Sequence, residues 1–174
     1  MNFKKWSWKE LDPSGIPAEK LNLEFEANLL EAAIAGVDWE GSGAAAPSAG
    51  EVGCLVSLHD IYSRLKQKHK GLQVDQLLVK VCPEDKKLRY NLACSHSLLG
   101  EIDDAVIALD CAFELGYDNF DHMKRDPDLA NLREDPRYRL YQDRFQILAK
   151  ELENLRDTED LEDLEDLEEF ESTF

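Results

Sequence analysis

Small residues at fixed places constrain this chain more than any other feature. In residues 86–115, KKLRYNLACSHSLLGEIDDAVIALDCAFEL, the residues Ala93, Gly100, Ala105 and Ala112 punctuate two short amphipathic segments. Small side chains at those places let two antiparallel helices touch closely, and Gly100 suits the left-handed residue that closes the first helix. A shift of 34 residues towards the N-terminus recovers the same apolar frame: Leu58 aligns with Leu92, Leu65 with Leu99, Leu72 with Val106 and Val81 with Leu115. A helix pair of this length cannot bury its apolar side alone and must stack on neighbours. The chain is therefore expected to be all-α and to be built by stacking.

This pattern resembles the tetratricopeptide repeat. The resemblance implies a short right-handed solenoid of about two and a half helix pairs with a capping helix at its C-terminal end. On the family frame, repeat one occupies 52–85, with helices near 52–65 and 69–82 and the terminal proline at Pro83. Repeat two occupies 86–119. Residues 17–36 read as a further helix, with Pro17 in its first turn and Gly36 as its stop, resembling the second helix of a degenerate repeat. Residues 38–51 are rich in Gly, Ala and Ser and predict a flexible connection.

Past Gly116 the pattern changes, because Pro127 falls where a third repeat needs a helical residue. Asp126-Pro127 and Asp135-Pro136 each offer an N-cap followed by proline, predicting a short helix near 128–133 and a long one from 136 to about 156. This stretch is similar to the closing segment of many repeat groups. Within the long helix, Tyr138, Tyr141, Phe145, Leu148, Leu152 and Leu155 follow heptad spacing. That stripe either caps the stack or pairs two copies through residues 138–155.

Residues 1–16, with Trp6 and Trp8, read as an irregular extension. Residues 157–174 hold ten Asp and Glu and no Lys or Arg, which predicts an unstructured acidic tail. Its plainer role is to keep the chain in solution; its sharper role is to compete with a partner in cis.

Charge and cysteine content narrow the function. The net charge is −17, and −7 remains for the other 156 residues once the tail is set aside, so an anionic nucleic acid is a poor partner. No apolar run reaches the roughly 20 residues a membrane span requires. The four cysteines, Cys54, Cys82, Cys94 and Cys111, lack CxxC spacing and read as reduced residues of a cytoplasmic protein. His59, His69, His96 and His122 form no metal pair at helical spacing, and no phosphate-binding or nucleophile motif occurs. The expectation is a non-enzymatic protein with no cofactor and no metal.

The family resemblance implies that the first helix of each pair lines a concave groove. Carried onto this sequence, it selects Val56, Ser57, Asp60, Ser63 and Arg64 from repeat one. From repeat two it selects Lys87, Tyr90, Asn91, Cys94, Ser97 and Leu98. Apart from the resemblance, the basic cluster just after repeat two adds Arg125 as a candidate. A clamp for a chaperone's C-terminal carboxylate is disfavoured, since Val56 and Asp60 stand where that clamp needs Lys and Asn. His59 occupies a small-residue position opposite Gly71 and is expected to compensate for the missing methyl. The leading function is an adaptor or scaffold that binds a peptide or partner protein. The alternatives are a small acidic chaperone for one client and a regulatory or self-assembling subunit that uses the heptad helix.

Overall fold

The computed structural model describes residues 17–39, 46–143 and 147. These residues are helical with short connections, and no strand occurs among them. In chain order the elements are α1 (Ala18–Ile34), α2 (Ala49–Arg64), α3 (Lys68–Val81), α4 (Lys86–Leu99), α5 (Ile102–Glu114) and α6 (Phe120–Arg125). A 3-10 turn (Pro127–Leu129) and α7 (Ala130–Arg133) follow, and residues 137–143 begin a last helical segment. From α1 to α5 each helix packs on the next in sequence, while α4 also holds the 3-10 turn and α7.

Helix ends follow from local chemistry. The α2 helix begins three residues before the expected start, because Ser48 and Glu51 form a capping box. The Ser48 side chain accepts from the Glu51 amide at 3.3 Å, and the Ser48 amide donates to Glu51 Oε2 at 2.6 Å. Together they satisfy donors that a helix start leaves open. Pro17 precedes α1 as its N-cap residue rather than sitting inside the first turn. Asp85 caps α4 by accepting from the amides of Lys87 and Leu88.

The first helices of the two pairs end alike. Lys66, at φ 57°, and Gly100, at φ 78°, are both left-handed and stand 34 positions apart. Around them the same two bonds recur: Gln67 N to Tyr62 O at 2.9 Å matches Glu101 N to His96 O at 3.0 Å. Lys66 N to Ser63 O likewise matches Gly100 N to Ser97 O, each at 3.0 Å. These close the C-terminal carbonyls that a helix otherwise leaves unpaired.

Two apolar cores result. One joins Leu23, Ala27 and Ile34 of α1 with Leu55, Leu58, Ile61 and Tyr62 of α2 and Val74 and Leu78 of α3. The other gathers Leu72, Val79, Ala93, Ala105, Leu109, Ala112, Met123, Leu129 and Leu132, with Tyr138 and Tyr141. Thus α3 serves both cores from two faces, and Leu88 packs against each.

Beyond α5 the structure departs from expectation by adding α6, a two-turn helix ahead of Pro127. Both aspartate–proline pairs cap as expected: Asp126 Oδ1 accepts from the Asp128 amide at 3.0 Å and Asp135 Oδ1 from the Arg137 amide at 2.9 Å. Tyr138, 1% exposed, and Tyr141, 7% exposed, pack into the second core, as a capping role for the stripe requires. The rest of that heptad stripe, the tryptophan extension and the acidic tail lie outside the described residues.

Candidate functional site

The α2–α3 corner, α4 and the segment from His122 to Asp128 surround a pocket of about 480 Å³. Helix α2 contributes His59, Tyr62 and Ser63; the tight corner brings Lys66, Gln67 and Lys68; α3 contributes Gly71. From α4 come Tyr90, Asn91, Cys94, Ser95 and Leu98, spaced so that they share one side of a helix. Asp126 and Asp128 close the far end together with His122.

The closed end is organised by Asp126, which is 8% exposed. Its Oδ2 accepts a 2.7 Å hydrogen bond from the Tyr90 hydroxyl and a longer one from the Cys94 thiol at 3.6 Å. His122 Nε2 lies 3.2 Å from the same oxygen, and the Asp126 carbonyl accepts from Arg133 Nη1 at 2.6 Å. Tyr90 stacks flat on Tyr117, with ring centroids 4.4 Å apart. Burial, the neighbouring Cys94 and Asp126 push the Tyr90 hydroxyl well above its ordinary range, and burial pushes Tyr117 up to about 12. Burial first and Asp126 second push the Cys94 thiol up. Both effects disfavour the thiolate, which is the nucleophilic form of a cysteine.

At the wall, Asp75 of α3 is 1% exposed and joins three helices. Its Oδ2 accepts from the Ser95 hydroxyl at 2.5 Å, and its Oδ1 lies 2.6 Å from His59 Nδ1. Neither of that last pair of atoms has another hydrogen-bond partner among the described residues. The bond to Asp75 raises the pKa of His59 against the opposing effect of burial, with the charges of Asp75, Asp60 and Asp128 adding to the rise. Asp128 is itself raised by burial and by Asp126, while His59 and Lys68 pull it back. Serine and histidine each bind a different oxygen of Asp75, which differs from a Ser–His–Asp order in which histidine stands between.

This geometry corrects the expectation for His59. An added Cβ at Gly71 would meet no atom within 4 Å, so the imidazole does not fill the space the glycine leaves. The ring turns to the Asp75 carboxylate instead, because a buried charge is far costlier to leave alone than a small gap.

Of the residues selected from sequence, Ser63, Tyr90, Asn91, Cys94 and Leu98 meet at the pocket. Val56, Ser57, Asp60, Arg64, Lys87 and Arg125 are exposed but stand outside it. Ser97 is corrected outright. It is fully buried, its hydroxyl accepts from the Leu132 amide at 3.3 Å and its carbonyl accepts from Asn131 Nδ2 at 2.7 Å. Packing of α7 on α4 takes every polar atom it could offer a ligand. Tyr90 and Cys94 are also mostly buried, so the pocket meets only their edges.

Lys66, Gln67, Lys68, Ser95, His122, Asp126 and Asp128 line the pocket without being marked by the repeat frame. Most of them come from the α2–α3 corner and the closing segment, which the first-helix rule does not sample. Ser63, Lys66, Gln67 and Asn91 make no side-chain hydrogen bond or ion pair with the described residues, so these four polar groups around the mouth can serve a ligand. Outside the pocket, His96, Glu101 and Asp104 bring three possible metal-ligand atoms within reach of one ion. His96 Nδ1 already sits 2.7 Å from Glu101 Oε2 and so closes the α4–α5 turn. Cys94 and His96 point to different partners, Asp126 and Glu101, as their spacing of two predicts.

No protein-family model matches the chain, and no solved structure matches it. A chloroplastic protein from Arabidopsis thaliana is 34% identical over 71 residues, which make up 38% of this chain and 21% of that protein. The chain thus matches about a fifth of that relative's length. No helix among the described residues is long and apolar enough to cross a membrane.

Proposed function

We propose that this chain is a tetratricopeptide-type interaction module, a short right-handed solenoid closed by its C-terminal helix. In this reading it binds a segment of a partner protein and performs no chemistry of its own. The observation that carries it is the pocket beside α2 and α4, whose mouth presents Ser63, Lys66, Gln67 and Asn91 without side-chain partners among the described residues. The repeat of the same helix-ending bonds after 34 residues supports the repeat architecture. A pocket of this size takes a few residues of an extended peptide: Asn91 and Gln67 can read its backbone amides, and Lys66 an acidic side chain. Cys94, buried with its thiol pKa raised, and Asp126, taken up by its own neighbours, support binding rather than catalysis.

Affinity capture with the full chain, compared with Asn91→Arg and Lys66→Glu baits, tests the proposal. Asn91 is half-buried at the mouth, so a longer cation there blocks entry while the fold persists. The expected result is a specific partner lost with either variant at unchanged melting temperature. A partner retained by both variants would remove the pocket from the binding surface. An adaptor bridges two partners, whereas a chaperone holds one client at fixed ratio, so the mass of the captured complex separates them. All four cysteines are unpaired, which suits a reducing compartment such as the cytoplasm. The chloroplast, named for the relative, is the second reading, and a fluorescent fusion of the full chain distinguishes the two.

A further inference from the structure

Helix α1 begins the described part of the molecule with one face uncovered. Its inner positions, Leu23, Ala27 and Ile34, are buried against α2 and α3. Its outer positions, Leu21, Phe25 and Leu29, are 38%, 70% and 62% exposed. Spacings of four place these three on one side of a helix as a continuous stripe. Such a stripe is a contiguous exposed apolar patch rather than scattered apolar residues. The helix is also acidic, with Glu19, Glu24, Glu26 and Glu31 against Lys20. Glu19, Glu24 and Glu31 pair with Arg64, Lys20 and Lys70, which leaves Glu26 to face a further cation.

We propose that residues 1–16 of the same chain lie along this stripe and cover it with Phe3, Trp6 and Trp8. The reading is independent of the pocket. Three observations choose this occupant. Residue 16 joins directly to Pro17, which has extended dihedrals of φ −57° and ψ 135° at the start of α1. The occupant is therefore tethered at the foot of the surface it needs. Pro13-Ser14-Gly15 is a turn sequence that can send the chain back over the helix. The twelve residues before it reach up to about 40 Å when extended, ample for a helix of 17 residues at roughly 25 Å.

Charge gives the third argument. In a chain of net charge −17, residues 1–16 hold Lys4, Lys5 and Lys9 against Glu10 and Asp12, with all three lysines in the aromatic part before Glu10. A basic aromatic segment therefore stands next to an acidic helix with an apolar stripe. A tethered segment has an effective concentration on the order of millimolar, which a second copy at ordinary protein concentration does not match.

Tryptophan emission tests this in the full chain. Trp39 is the third tryptophan and packs against the first core, so Trp39→Phe leaves Trp6 and Trp8 as the only emitters. In the folded protein their emission should be blue-shifted and protected from acrylamide relative to the urea-unfolded chain. Phe25→Glu with Leu29→Glu, at solvent-facing positions, should return both readings to those of free tryptophan while the helical circular dichroism persists. Tryptophans that are fully quenched in the folded chain would overturn the proposal. So would protection that survives the two glutamates, or protection that fades on dilution together with a fall in mass, which would give the stripe to a second copy. Hydrogen exchange on the unsubstituted core provides an independent readout without Trp39→Phe. Deleting residues 2–15 should speed exchange across residues 21–29, and unchanged exchange there would count against docking.

Discussion

An aspartate with 1% of its surface exposed must find partners, since an isolated buried charge costs several kcal/mol. Asp75 finds one on each neighbouring helix, Ser95 on α4 and His59 on α2, so a single carboxylate ties three helices together. Removing it leaves the imidazole and the hydroxyl unsatisfied, and Asp75→Ala should cost about 3–5 kcal/mol by urea unfolding. The His59 side of this tie is pH-dependent. Its pKa is raised in the folded state, chiefly by the bond to Asp75, so its stabilisation is complete below the unfolded value of about 6.5 and is lost as pH rises through the folded value. Asp128 has the same sign but acts in the acid range of a carboxylate, below this window. Stability measured from about pH 6 upward should therefore fall in the natural chain and stay flatter in His59→Gln. Parallel curves for the two proteins would refute the ion pair. The sequence shows His59 at an unusual place but not its partner. Asp75 lies on the next helix and carries no local mark that distinguishes a buried acid from a solvated one.

At the scale of elements, the matching helix ends at Lys66 and Gly100 make a paired prediction. A left-handed backbone costs a residue with a Cβ roughly 1 kcal/mol, whereas glycine accepts it freely. Lys66→Gly should stabilise the chain by about 1 kcal/mol, less the extra freedom glycine gives the unfolded state. Gly100→Lys should destabilise it by at least that amount. Thermal unfolding of both variants checks the signs, and the same sign for both would rule out the shared geometry. The helices α2 to α5 are legible in the sequence because small residues and apolar spacing recur over 34 positions. Leu58 and Leu92 are both buried, as the aligned frame requires. The start of α2 is harder to read although Ser48 and Glu51 spell a capping box, since Gly and Ala on either side resemble a linker. Helix α6 escapes the sequence pattern for a different reason. It is only six residues long and is held by Met123 in the second core, a tertiary contact that leaves no periodic trace.

Across the whole molecule, stability should be unevenly distributed. Helices packed mainly on their sequence neighbours share energy with those neighbours rather than with a common centre. The second core draws on α3, α4, α5, α6, the 3-10 turn, α7 and the last helical segment, and it is closed by Tyr138 and Tyr141. By contrast, the first core rests on α1, α2 and one face of α3. Leu58 is 1% exposed within that first core, and Leu58→Ala should cost about 2–5 kcal/mol by cavity formation. The cost should fall locally: amides of α1 and α2 should lose hydrogen-exchange protection while those of α4 and α5 keep theirs. Leu109→Ala, its counterpart in the second core at 0% exposure, should weaken α4 and α5 directly. It should also loosen the first core, because α3 loses the face that Leu72 and Val79 occupy. Equal loss of protection throughout in both variants would mean that α3 couples the cores into one cooperative unit. In that case the pocket between α2 and α4 would be as rigid as the core beneath it.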